Sequence, residues 1–149
     1  MLFLVMMEVL SRMLKRIEGA GLIRGFQAVG SQGVGECVSH LLFADDTILF
    51  CDAVVQQIFH VRMLLLCFQA VTGLKVNVSK SELVPIGEVN NVHALAEILG
   101  CRIGSLPMTY FGMPLGLPIS PLLIGILSWR NFTGNWSGGR SCICLKVVG

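Results

Sequence analysis

Charged residues are scarce in this chain. Asp, Glu, Lys and Arg make up 13% of its 149 residues, whereas hydrophobic residues make up 54%. A soluble domain usually has about twice this charged share. The length allows one domain with a core, but the composition leads us to expect a segment of a larger protein. The formal net charge of +2 is too small to indicate nucleic-acid binding by itself.

Paired cysteines are also lacking. The six cysteines lie at positions 37, 51, 67, 101, 142 and 144, without the regular spacing of a disulfide framework. Cys142 and Cys144 have no matching second pair, which argues against a zinc site. This usage is typical of reduced thiols inside a cell, and we expect no disulfide partner.

No hydrophobic run reaches the roughly 20 residues that a membrane-spanning helix needs, so we expect no membrane partner. The N-terminal run is interrupted by Glu8 and has no basic leader, unlike a signal peptide. Its apolar residues instead recur at helical spacing and predict a core helix over 1–18, stopped by Gly19. They are Leu2, Met6, Val9, Met13 and Ile17.

Strand and helix patterns alternate along the rest of the chain, without an internal repeat. Strand patterns cover 21–26, 37–44, 47–51 and 74–78, helix patterns cover 53–72 and 90–100, and 101–116 has the turn residues of a hairpin. Asp52 is placed to cap the first of these helices, and Gly73 and Gly100 to end them. Helices and hairpins on a small antiparallel sheet predict an α+β architecture.

The segment HLLFADDTILF (40–50) places Asp45 and Asp46 between two apolar β-type runs. Two residues between strands is hairpin spacing, and aspartate is common in turns, so a simple polar turn is one interpretation. The other is a metal site, because adjacent carboxylates beside apolar strands repel each other unless a cation binds them. Mg²⁺ prefers such oxygen ligands together with substrate phosphates. Two such ions can promote nucleotidyl transfer, which needs a further carboxylate from another strand.

Several ordered blocks of this sequence resemble the reverse transcriptases of plant LINE-type (non-LTR) retrotransposons. MEVLSRMLKRIEGAGLIRGF (7–26) is similar to the helix and strand that follow the family's template-gripping motif, and HLLFADDTILFC (40–51) to its catalytic F-A-D-D hairpin. FQAVTGLKVNVSKSEL (68–83) is similar to the next helix-turn-strand, and LPMTYFGMPLG (106–116) to the primer-grip hairpin. The resemblance runs from Met1 to about Gly116.

The resemblance implies a partial polymerase palm over 1–103 and a primer-grip hairpin over 104–116, at the start of the thumb. It implies that Asp45 is a direct metal ligand and that Asp46 is its supporting carboxylate, with Mg²⁺, or Mn²⁺ in its place, as the cofactor. Lys80 would lie near the departing pyrophosphate. A lysine exposed to solvent without a catalytic role is the alternative interpretation of Lys80.

The resemblance also implies partners and a location. RNA template, DNA primer and deoxynucleotides are the implied partners, and the nucleus is the implied location. Two groups of residues would contact the primer: Phe43 and Ala44 beside its terminus, and Tyr110, Phe111 and Gly112 around its end. Tyr110 and Phe111 would otherwise be core aromatics.

Two parts of the sequence depart from this family. The family carries a metal-binding aspartate on an earlier strand, and we expect this aspartate to be absent here. Our hypothesis is therefore that the chain alone does not polymerise DNA. From 117 to 149 the resemblance stops, and we expect a poorly ordered tail translated out of frame. Read one nucleotide earlier, codons for CLKVVG (144–149) permit S-K-G-G-R, and those for GGRSCI (138–143) together with Cys144 permit W-K-K-L-Y-L. Both are words of the family's thumb.

Two further hypotheses remain open beside an inactive palm remnant. An active partial polymerase would gain its missing aspartate from another chain. A non-enzymatic hydrophobic protein, associated with a membrane or a partner, would account for the low charge.

Overall fold

A computed structural model describes residues 2–29, 35–43, 46–86, 88–105, 108–110, 113–115 and 142–148. These residues form three helices and nine strands, which confirms the predicted α+β class. The helices are α1 (Leu2–Gly19), α2 (Val55–Thr72) and α3 (Val92–Leu99). The strands are β1 (Phe26–Val29), β2 (Gly35–Val38), β3 (His40–Phe43), β4 (Asp46–Asp52), β5 (Glu82–Ile86), β6 (Arg102–Ile103), β7 (Met108–Tyr110), β8 (Met113–Leu115) and β9 (Cys142–Val148).

Helix α1 lies close to its predicted range and packs by its C-terminal half. Leu10 and Leu14 are buried in the core, and Met13 and Ile17 pack against it. Leu2, the first residue of the predicted apolar stripe, is instead 70% exposed. Met7, in the second turn, also packs against the core, so the helix contributes to the core from its second turn onward.

Helix α2 is the central core helix, and its start differs from the prediction. Asp52 does not cap it, because Asp52 ends β4 and its carboxylate accepts a hydrogen bond from Gln57 Nε2 at 3.1 Å. Val54 precedes the helix and provides no side-chain cap. The predicted end is confirmed, since Gly73 adopts φ +75°, a conformation that glycine tolerates best.

The strand predicted over 74–78 is not formed, and β5 takes its place further along the chain. The backbone of this segment is satisfied by other groups: Val76 N–H donates to Gln69 Oε1 at 2.8 Å, and Asn77 C=O accepts from the Ser81 hydroxyl at 2.8 Å. The strand predicted over 21–26 is likewise a bend, and β1 starts only at Phe26. In both places the alternation of apolar residues predicted a strand close to a real one, but it did not predict which residues pair with a neighbouring strand.

The main sheet has five strands in the order β3-β4-β9-β5-β6. β3 and β4 form the predicted antiparallel hairpin. β9 is antiparallel to both β4 and β5, and it therefore fills a gap one strand wide between two strands that run parallel to each other. We expected a poorly ordered tail over 117–149. Its segment Cys142–Val148 is instead the central strand, since its apolar and β-branched residues suit a sheet interior.

The core lies between the helices and one face of this sheet. Leu49, Cys51 and Leu83 belong to the cluster that includes buried residues of α1, α2 and α3. Ile48 and Phe50, which alternate with them along β4, are also buried. β4 is therefore buried on both faces, which fixes the position of the hairpin that precedes it. β1 with β2, and β7 with β8, form separate two-stranded sheets.

Candidate metal-binding hairpin

Asp46 stands at the start of β4, directly after the hairpin turn. Its backbone pairs with Phe43 of β3 on one side and with Val148 of β9 on the other. The Asp46 residue is half-buried, and the five residues that follow it are all buried. Asp45 and Ala44 lie outside the described residues. The structure thus places one predicted metal ligand, Asp46, at the end of the β3–β4 ladder next to the two residues that connect the strands.

The base of the hairpin is held by a polar cluster around His40, which sequence reasoning did not assign to a site. The His40 ring lies between two hydroxyls, with Nε2 2.9 Å from Ser11 Oγ and Nδ1 2.8 Å from Ser39 Oγ. Ser39 C=O accepts a hydrogen bond from Phe50 N–H at 2.9 Å. These contacts join α1 to the hairpin, and no sequence spacing could have indicated the link between Ser11 and His40.

Burial is the main cause that lowers the pKa of His40 below its ordinary value. The positive charge of Lys15 lowers the pKa further, and the negative charge of Glu18 opposes it. His40 is therefore a neutral hydrogen-bonding residue at neutral pH. Because His40 lies at the base of the hairpin, away from its tip, its role is structural: it links α1 to the hairpin.

Lys80 lies at the same end of the sheet as Asp46. It precedes β5 by two residues, and Glu82, the first residue of β5, pairs with Lys146 of β9. Lys146 in turn pairs with Ile48, two residues beyond Asp46. Since β9 separates the two strands, the backbones of Glu82 and Ile48, which both pair with Lys146, lie about 10 Å apart across the sheet. Lys80 lies in the turn that leads into β5.

Lys80 is exposed, in a turn closed by Asn77. Its backbone N–H lies 3.2 Å from Asn77 O and 3.3 Å from Asn77 Oδ1. The Ser79 hydroxyl donates to Asn77 Oδ1 at 2.7 Å. Asn77 therefore orders the loop that carries Lys80, and it was not singled out from the sequence although asparagine is a common turn residue.

The residues predicted to contact the primer divide between two sheets. Phe43 ends β3, in the main sheet, whereas Tyr110 ends β7, whose partner β8 starts at Met113. Phe111 and Gly112 fall between these strands and lie outside the described residues. The structure thus forms the predicted hairpin there.

The opposite end of β4 is a structural junction. Gln57 Oε1 accepts from Asp52 N–H at 2.9 Å and from Arg24 N–H at 3.0 Å. Asp52 lies at the far end of the strand, about 20 Å from Asp46 at the usual rise per residue, so the two carboxylates cannot share an ion. Cys51, beside it, is buried, and burial raises the pKa of its thiol to about 12. Cys51 is therefore a packing residue.

The described residues do not by themselves form a complete Mg²⁺ site. Asp46 supplies one carboxylate, and its neighbour on β9 is Val148, which has no ligand atom in its side chain. In the part of the chain that the structure describes, no three His, Cys, Asp or Glu residues are grouped as a metal site requires.

No family model matches the chain, and no curated protein or solved structure is significantly similar to it. Among the described residues, no helix is long and apolar enough to span a bilayer.

Proposed function

We propose that this chain is a segment of a reverse transcriptase palm of the LINE type that does not polymerise DNA by itself. The blocks quoted above support the proposal by their sequence and their order along the chain. RNA template, DNA primer, deoxynucleotides and Mg²⁺ or Mn²⁺ belong to the same proposal. A polymerase palm is one form of the α+β architecture described above.

The observation that carries the proposal is the position of Asp46 and Lys80. Asp46 follows the tip of a two-residue hairpin, and Lys80 precedes the strand that lies two positions away in the same sheet. Two-metal nucleotidyl transfer needs carboxylates that hold the metal ions. The resemblance adds a lysine near the departing pyrophosphate, which would be Lys80.

The inactivity in this proposal rests on the metal-binding aspartate that the family carries on an earlier strand and that we expect to be absent here. Two-metal chemistry requires carboxylates that converge from different elements, since one hairpin tip cannot surround two ions. In the described residues the strand next to Asp46 offers Val148 at the paired position. Asp45 and Asp46 therefore lack a converging carboxylate from β9.

A primer-extension assay tests this function. The purified chain is given an RNA template, a DNA primer, deoxynucleotides and either Mg²⁺ or Mn²⁺, beside the Asp45→Ala, Asp46→Ala double variant. We expect no extension by either protein. Extension by the wild type that is lost in the double variant would show an active metal site and refute the inactivity.

The ancestry is tested separately by the nucleotide sequence of the gene. We expect the frame one nucleotide earlier to encode the thumb words over the codons of residues 117–149. A gene whose codons do not permit these words would contradict the frameshift. This result does not depend on whether the protein is active.

A further inference from the structure

The outer face of α2 is apolar although it faces solvent. The inner face carries the buried residues of the helix, which include Ile58, Val61 and Phe68. The outer face carries four large apolar residues at helical spacing, here named the α2 stripe: Val55, Phe59, Met63 and Leu66. They are 48%, 52%, 44% and 46% exposed. A surface helix normally places polar or charged residues there.

The α2 stripe is large enough to be an interaction surface. Its four side chains expose an apolar area on the order of 300 Å², as large as the largest patch on many monomers. Cys67 and Ala70 are exposed on the same side and extend the stripe. The largest contiguous patch on a monomer is often functional, whereas apolar residues scattered singly over a surface are normal.

The stripe ends beside a recess in the surface. A cavity of about 180 Å³ lies between α2, the segment before β5 and the end of α3. Leu65, Leu66, Val76, Val78 and Leu99 provide its apolar walls. Since Leu66 belongs to both the stripe and the cavity, one partner helix lying on the stripe can insert a large apolar side chain there. Anchors of this kind often dominate the affinity of protein interfaces.

A single positive charge lies at the border between stripe and cavity. Arg62 is the one charged residue within Val55–Thr72, apart from any charge on His60. Its Nη1 donates a hydrogen bond of 2.7 Å to Ile98 C=O, which holds the guanidinium beside the end of α3. The guanidinium has further N–H donors that suit a carboxylate.

The position of Arg62 argues against antiparallel self-association through the stripe. If two copies paired antiparallel about the middle of the stripe, both Arg62 side chains would lie on the same flank. They would be separated along the helix axis by only about 5 Å, given the helical rise. This repulsion disfavours a second copy in the antiparallel arrangement, whereas a partner with a carboxylate at that position is attracted.

We propose that the α2 stripe is the docking surface for an amphipathic helix of a partner protein. The helix places apolar residues on Phe59, Met63 and Leu66, inserts one into the cavity, and pairs a carboxylate with Arg62. Helices that bind in this way use apolar anchors spaced three, four and seven residues apart. The proposal is independent of the reverse transcriptase ancestry.

Binding of two synthetic helical peptides to the full chain tests the proposal. Both carry leucines at the anchor spacing, and one has glutamate where the other has lysine, at the position opposite Arg62. We expect the glutamate peptide to bind about fivefold more tightly, as attraction replaces repulsion at one exposed pair. Arg62→Glu should reverse the preference. Phe59→Glu should weaken both peptides at least tenfold, whereas Val71→Glu, exposed on the same helix but off the stripe, should leave both unchanged.

Three results would overturn the proposal. The first is equal affinity for both peptides in the wild type and in Arg62→Glu. The second is dimerisation of the wild type that Phe59→Glu abolishes, which would show that a second copy occupies the stripe. The third is flotation with lipid vesicles that depends on Phe59, without peptide binding, which would assign the stripe to a membrane surface. Circular dichroism of each variant confirms that the fold is retained.

Discussion

Replacement of Val148 by aspartate should create a divalent-cation site at the hairpin. Val148 pairs directly with Asp46, and opposite residues in an antiparallel pair have Cβ atoms about 5 Å apart. A carboxylate at position 148 would therefore lie close enough to Asp46 for both to bind one ion. The substitution converts a position with no ligand atom into the second carboxylate.

The expected effect can be worked out from these two charges. Without metal, like charges placed opposite each other should lower the free energy of unfolding by about 0.2 to 1 kcal/mol. With Mn²⁺ at ten times its dissociation constant, binding should raise the free energy of unfolding by about 1.4 kcal/mol. For a chain of this size that corresponds to roughly 3 to 6 °C in melting temperature.

Thermal unfolding followed by circular dichroism, with and without Mn²⁺, measures this effect. Val148→Asn is the matched control, because it has nearly the same shape without the charge. Val148→Asp combined with Asp46→Asn removes the partner carboxylate. If Mn²⁺ raises the melting temperature of Val148→Asp no more than that of these two controls, the pairing of Asp46 with position 148 does not bring two carboxylates together.

Two further predictions concern Gln57 and His40, which both lie near the base of the hairpin. Gln57→Ala should lower the free energy of unfolding by about 1 to 2 kcal/mol, because two backbone N–H groups lose their acceptor. Urea denaturation measures it, and the exposed neighbour Gln56→Ala should have little effect. The pKa of His40 is lowered in the folded state from its ordinary value of 6.5. As the pH falls through 6.5, the unfolded state therefore binds more protons than the folded state does. The free energy of unfolding should decrease over that pH range. His40→Gln should reduce this dependence in urea titrations at about pH 7.5 and 5.5; an unchanged slope would contradict it.

Local patterns predicted the helices and the hairpin well, because their causes lie within a few residues. Gly73 and Gly100 both take the left-handed conformation that ends α2 and α3. The hairpin of β3 and β4 follows from two apolar runs separated by a two-residue turn. In each case the residues that cause the structure are neighbours in sequence.

Long-range pairing could not be read in the same way. The run Cys142–Val148 has an apolar composition, but nothing in it indicates that it pairs with β4 and β5. The contact between Ser11 and His40 joins residues far apart in sequence and depends on how α1 packs. One part of the candidate site, the hairpin that carries Asp46, could therefore be predicted from the sequence. The pairing of Asp46 with Val148 of β9 could not.

The central place of β9 has a consequence for the order in which the chain folds. β5 ends at Ile86, and the strand that joins it to β4 begins only at Cys142. During synthesis, β4 and β5 are thus complete long before their common neighbour leaves the ribosome. Until then they would present two facing edges of unsatisfied backbone groups, which attract other chains. The sheet can be completed only after a long loop closes and brings β9 between β4 and β5, which makes folding slow. We expect the nascent chain to need chaperones that shield the two strand edges until then.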